Sequence, residues 1–367
     1  MEAWMLVYFL SFFLSMFICW IGCHEININK KKICITFNKQ GVVSLSEKRS
    51  NRFLIFLIAS IPLILTAGLR YMVGTDYVGY LDIFNDAKRG RIDSEYLYTL
   101  INKAVVALDL DYHYVLLICG AVFCIPIFYQ IDKDSPYPVL SVFLLFATRY
   151  YFAYLNIMRQ LCACAILLVS LQYVEKRKLI PFLICVAIAF GFHTTSIIFL
   201  IVYWLPYQKI TRIKAIYIAV IAALLKPFIA RFVLIVMKAT GYAHYFGGYY
   251  DTGQTKYFNL LIQGAVLLLA LMYYKKGDYK YKIYTTLQLL TFTVMIYSGT
   301  LPLVERMRFY FMLPSIILIP LAVSKEKNKL NRLCILIGII LAFSAYLYLG
   351  ILKDDYEVIP YQSILSI

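Results

Sequence analysis

The chain has 367 residues, of which 62% are hydrophobic and 15% charged, with a mean hydropathy of +0.73 and a formal net charge of +16. Soluble chains carry about 25% charged residues, so this composition excludes a soluble enzyme. The excess base sits mostly in short loops between apolar blocks, which is a membrane-topology pattern and argues against nucleic acid as a partner.

The apolar blocks run to roughly 15–22 residues, the length that crosses a bilayer as helix. The ~10-residue alternation of a transmembrane β-barrel is absent. Lipid forces each span to satisfy its own backbone, so the sequence predicts an all-α, polytopic helical membrane protein. Met1 to Ile21 is apolar, lacks a basic start and shows no small-residue cleavage site, which predicts a retained span at about 4–22. The stretch 23–52 holds Lys30, Lys31, Lys32, Lys39, Lys48, Arg49 and Arg52. It is the most basic loop, and therefore cytoplasmic, which puts the N-terminus outside.

A second span at about 53–69 leads into the segment 70–112 on the outer side, with Asp76, Asp82, Asp86, Asp93, Glu95, Asp109 and Asp111. Tyr77, Tyr80, Leu81 and Phe84, then Tyr96, Leu97, Leu100 and Ile101, recur at helical spacing and predict amphipathic outer-face helices. Spans follow at about 113–129, 138–153 and 157–174. The run 179–206 is broken by Gly191-Phe192-His193-Thr194-Thr195-Ser196, and reads as two short spans or as one long tilted helix. The two-span reading keeps Lys209, Arg212 and Lys214 inside and is preferred. Spans at about 215–237, 259–274, 283–300, 309–323 and 331–350 bring the count to about twelve. They enclose a Gly- and Tyr-rich outer loop at 238–258 and leave the C-terminal tail outside. One membrane domain over 1–367 is expected.

The candidate chemistry lies where spans meet water. Arg70-Tyr71-Met72-Val73-Gly74-Thr75-Asp76-Tyr77-Val78-Gly79-Tyr80 puts a guanidinium, a carboxylate, two glycines and three phenols at a membrane edge. Charge near hydrocarbon has a desolvation cost and calls for a reason. A snorkelling Arg70 and a helix-capping Asp76 are the plain structural alternatives. Arg159, in Asn156-Ile157-Met158-Arg159-Gln160, offers a planar fork of donors suited to phosphate oxygens, or else an interfacial anchor. His193 is a buried histidine or a proton acceptor near neutral pH. Glu305-Arg306-Met307-Arg308 is a compact charged turn from which Arg306 or Arg308 could point inward.

The other histidines, His24, His113 and His244, show no ligand spacing, and no metal site is expected. The nine cysteines form no CxxC pair and read as small buried hydrophobes. Several arginines at one leaflet would suit a lipid-linked pyrophosphate, stabilising charge on a departing diphosphate while Asp76 or His193 takes the proton of an attacking hydroxyl.

Arg70-Tyr71-x-Val73-Gly74-Thr75-Asp76-Tyr77-x-x-Tyr80, Arg159-Gln160, Phe192-His193-Thr194-Thr195-Ser196, the arginines at 306–308 and Ile359-Pro360-Tyr361 together resemble the EpsG family of exopolysaccharide-synthesis membrane proteins, related in role to Wzy-type polymerases. The resemblance spans nearly the whole chain. It implies polymerisation of oligosaccharide repeat units carried on undecaprenyl diphosphate, at the outer face of the bacterial cytoplasmic membrane, on a GT-C-like fold. The lipid diphosphate would leave, with no metal, cofactor or nucleotide sugar. The bilayer, a flippase and a chain-length regulator of the same pathway are the further partners expected. Two other readings compete. A flippase for the same glycolipid would show charge on both sides of the midplane and often repeat symmetry. A membrane O-acyltransferase would need an acyl-donor site, to which nothing in the chain points.

Overall fold

The computed structural model describes residues 3–29, 35–37, 43–45, 52–91, 95–205, 210–239, 257–274, 278–299, 304–354 and 356–366. Most of the predicted outer loop at 238–258, with its Gly241 to Tyr250 cluster, lies outside them, as do Lys30 to Lys32 and Asp93. Helices dominate, and each stretch predicted to cross the membrane carries one. A two-stranded antiparallel ribbon, β1 (Ile35–Phe37) with β2 (Val43–Leu45), lies in the basic stretch and pairs Ile35 with Leu45.

Two compact units share the chain. The first comprises Met1–Val169, Gly191–His193 and Ile337–Ile367, and the second Ser170–Phe190 and Thr194–Leu336. In the first, α1 (Ala3–Asn29) packs on α2 (Arg52–Gly68), and α2 on α5 (Tyr112–Asp134). Gly68 allows the close approach of the latter pair, because a Cβ there would overlap the Leu117 side chain. The predicted outer-face helices are α3 (Tyr77–Lys88) and α4 (Tyr96–Ala107), which pack on each other, with α4 also against α5.

The predicted span 138–153 is two helices, α6 (Pro138–Ala147) and α7 (Tyr150–Asn156), bent by 51°. The bend falls at Arg149, whose φ of 64° is left-handed and interrupts the helical ladder. Next comes α8 (Met158–Glu175), which begins in the first unit and ends in the second. The break predicted near Gly191 is present. There α9 (Leu179–Phe192) stops, His193 is non-helical, and a 3₁₀ helix runs from Thr194 to Tyr203.

The second unit is organised on α12 (Tyr279–Ile296), which contacts α10 (Arg212–Ala239), α11 (Tyr257–Met272), α13 (Val304–Met312) and α14 (Ser315–Ser324). Its buried threonines return their hydroxyls to the helix, with Thr285 donating to the Tyr281 carbonyl and Thr291 to that of Leu287, both at 2.9 Å. Such bonds let polar side chains lie inside an apolar bundle. The last helix, α15 (Lys329–Lys353), begins in the second unit and ends in the first.

Among the described residues, five helices are individually long and apolar enough to cross a bilayer, and the bent α6–α7 pair is a sixth candidate. The shorter apolar helices include α2, α9 and α11. The chain is a multi-pass helical membrane protein.

Candidate active site

The first unit gathers most of the predicted site residues. The stretch Leu69–Asp76 between α2 and α3 is held on one side by the C-terminal segment. Tyr71 N donates to Gln362 O at 2.9 Å, Ile364 N to Leu69 O at 3.0 Å, and Gly74 N to Glu357 O at 3.0 Å. Arg70 and Ser363 form an antiparallel bridge. Asn156, at the end of α7, holds the other side. Its Oδ1 accepts the Thr75 hydroxyl at 2.6 Å and the Asp76 N–H at 3.4 Å, while its Nδ2 donates to the Tyr356 carbonyl at 3.0 Å. Gly74 has φ +96°, and a Cβ there would stand 2.9 Å from Asn156 Oδ1, so both conformation and space require glycine.

Arg70 is completely buried, and its Nη1 donates to the Leu155 carbonyl. Its guanidinium lies 5.9 Å from the Tyr77 ring centroid, and its charge acts on the phenols of Tyr8, Tyr112, Tyr154 and Tyr361. Burial raises the Tyr361 phenol to about 12 against the pull of Arg70. Tyr361 donates to Thr66 O at 2.9 Å, tying the tail to α2. Arg70 is therefore the internal fixture of the motif, and Tyr71, half-exposed beside Tyr77, is its outer face.

Asp76 does not behave as a helix cap. It occupies the N-cap position of α3, yet its side chain makes no capping hydrogen bond. The Thr75 hydroxyl lies 3.3 Å from its Oδ1. The carboxylate acts electrostatically on the phenol of Tyr80, one turn along α3.

Arg159, on the first turn of α8, meets that same phenol. Its guanidinium lies 5.6 Å from the Tyr80 ring centroid and 5.5 Å from that of Tyr98 on α4. A cation over two aromatic faces is attracted to both and loses the freedom of a surface arginine. Burial pushes the Tyr80 phenol up to about 12, opposed by the Arg159 charge, so this hydroxyl stays protonated at neutral pH and is a hydrogen-bond donor. Gln160, the next residue, is buried on α8.

His193, just past α9, has its Nδ1 2.8 Å from Glu95 Oε1. Glu95 immediately precedes α4, three residues before Tyr98, whose ring lies against Arg159. Gly191 fits closely against Leu97 of α4, since a Cβ there would stand 2.6 Å from Leu97 Cγ.

Arg306 and Arg308 lie on α13 in the second unit. Arg308 is buried, 5.0 Å from the Phe309 ring centroid and in reach of the Met295 sulfur. The Thr195 and Tyr310 hydroxyls are 2.7 Å apart, which joins the Thr194-Thr195-Ser196 stretch to the arginine-bearing helix. Sequence reasoning missed Asn156, Glu95 and Tyr98 as parts of the site. The only signals were the place of Asn156 in the Arg159 motif and of Glu95 among the seven acids of segment 70–112. No group of three or more metal-ligating side chains occurs among the described residues.

No curated protein and no solved structure gives a significant match to the chain. A family model does match, over residues 53–363, which contain every motif described above. That span covers most of the sequence, and the protein belongs to the EpsG family, a family of Wzy-like polysaccharide polymerases.

Proposed function

We propose that the protein joins undecaprenyl-diphosphate-linked oligosaccharide repeat units into exopolysaccharide, capsule or O-antigen at the outer face of the bacterial cytoplasmic membrane. The family match over 53–363 carries the class of reaction. The finer reading adds a GT-C-like fold with twelve crossings and both termini outside. A helix at each expected span supports the crossing count.

In this reading a sugar hydroxyl of one repeat unit attacks the anomeric carbon of the chain held on the other lipid. A glycosidic C–O bond forms, the C–O bond to diphosphate breaks, and the lipid diphosphate leaves with the electron pair. Arg159, fixed on Tyr80 and Tyr98, supplies a preorganised positive charge for the leaving oxygens, and the Tyr80 hydroxyl adds a donor. His193 or Asp76 receives the hydroxyl proton. Arg70 and Gly74 fix the turn that carries Thr75 and Asp76. Metal is not required, because guanidinium and phenol donors meet the charge of the leaving group.

The test is purified protein in proteoliposomes with lipid-linked repeat units already on the reactive side. Chain lengthening without transport is the expected result, abolished in Arg159→Ala and Asp76→Asn proteins that remain inserted and abundant. Transport without lengthening would identify a flippase instead. Full-length polymer from both variants would remove the site.

A further inference from the structure

We propose that Glu95 is the positioning residue for the proton transfer: its carboxylate holds His193 in one tautomer and makes Nε2 the atom that accepts the hydroxyl proton. This rests on the polymerase reading and selects His193 over Asp76 as the base.

Three observations carry it. A carboxylate that only accepts hydrogen bonds takes this 2.8 Å contact from Nδ1–H, and in the neutral ring that leaves the lone pair on Nε2. The Glu95 side chain is 5% exposed and that of His193 26%, so the orienting group is sealed while the ring keeps an open edge. Glu95 also occupies the N-cap position of α4 without making a side-chain cap bond. The carboxylate is turned to the imidazole instead. Such a local departure from good helix design is expected at working sites.

Position adds a fourth argument. Tyr98, one turn after Glu95, carries Arg159 on its face, so the start of α4 meets His193 through Glu95 and Arg159 through Tyr98. During the reaction the hydroxyl proton moves to Nε2 as the new glycosidic bond forms and the diphosphate leaves. The Glu95 carboxylate offsets the imidazolium charge, as the acid of a nucleophile–base–acid triad does.

Steady-state chain lengthening by Glu95→Gln, His193→Gln and the double variant tests this in the full-length protein. His193→Gln is expected to lower kcat about 10²–10⁴-fold. Glu95→Gln should lower kcat at least about 10-fold with KM and thermal midpoint unchanged, and should cost nothing further when His193 is already Gln. Glu95→Asp should recover part of the loss. Selective ¹⁵N labelling of histidine should show the Nδ1-protonated tautomer at His193 in the unmodified protein, a readout that needs no variant to fold.

Multiplicative losses in the double variant, wild-type activity in Glu95→Gln, a loss that follows the thermal midpoint, or an Nε2-protonated tautomer would each overturn the assignment and leave the polymerase reading standing. An unmodified protein that lengthens no chains would overturn both.

Discussion

Asn156 accepts the Thr75 hydroxyl at 2.6 Å with one end of its amide and donates to the Tyr356 carbonyl at 3.0 Å with the other. One buried side chain thus latches the Gly74–Asp76 turn to the C-terminal segment. Asn156→Ala is expected to leave the Thr75 hydroxyl and the Tyr356 carbonyl without these partners. Thr75 is exposed and Tyr356 half-buried, so water takes up part of the loss and each missing bond costs about 0.5–1.5 kcal/mol. Detergent-solubilised protein should melt earlier, and chain lengthening should fall further than the stability loss explains, because the turn that carries Asp76 is released. Asn156→Asp keeps the acceptor and loses the donor, so it should retain the Thr75 bond and be intermediate in both measurements.

Gly74→Ala probes the same turn from the backbone. The added methyl meets Asn156 Oδ1 at 2.9 Å and the Leu155 carbonyl at 3.2 Å, at a φ of +96°. Backbone strain of this kind costs about 1–3 kcal/mol. The thermal midpoint should drop, and Gly74→Ala combined with Asn156→Ala should cost less than the sum of the two, since the second change removes the atom that the methyl meets. Strict additivity would show that the two residues are not in contact.

Helices and the polar motif were legible in the sequence because both are local. Apolar blocks set the spans, and Arg70, Gly74, Thr75 and Asp76 stand together on one short stretch. Their partners were not legible. Asn156 lies 81 residues from Thr75, and His193 lies 98 from Glu95. Nothing in periodicity links such positions, and Glu95 reads as one acid among seven until its missing cap bond and its contact with His193 are seen. Arg70 was visible as a charge at a membrane edge, but its complete burial follows from the tail folding back over it. The kink at Arg149 was hidden for a similar reason. A left-handed arginine inside an apolar run is tolerated where Gly350 yields the space, since a Cβ there would stand 2.3 Å from the Arg149 side chain.

Arg159→Lys should be far from conservative. Lysine keeps the charge but loses the planar face that lies over Tyr80 and Tyr98, at 5.6 and 5.5 Å from their centroids. Each such contact is worth about 0.5–2 kcal/mol, so chain lengthening should fall about 10-fold or more. Tyr98→Phe keeps the ring and should be mild, whereas Tyr98→Leu should approach the lysine variant. The Tyr80 phenol, raised to about 12 by burial, should contribute no inflection to the rate profile over the neutral range. Tyr80→Phe should lower the rate by the same factor throughout it. A loss confined to alkaline pH would mean that the phenol titrates during turnover.

Asp278 gives a pH-dependent test in the second unit. It caps α12 by accepting the Tyr281 N–H at 3.1 Å, and it pairs with Lys325. Partial burial works against its charge, but the Lys325 and Tyr281 hydrogen bonds outweigh it and hold the carboxyl below its usual range. A depressed folded-state value means that the folded protein binds its proton less readily than the unfolded chain. The stabilisation is then complete above the unfolded value, about 3.9, and is lost as pH falls through the lower folded value. The pair is partly solvated, so the expected scale is roughly 0.2–1 kcal/mol. Asp278→Asn should therefore melt below the unmodified protein at neutral pH, and the gap between the two midpoints should close as the solution is acidified past the ordinary carboxylate range. A gap that stays constant with pH would show that the ionised form of Asp278 is not what holds α12 to the Lys325 turn.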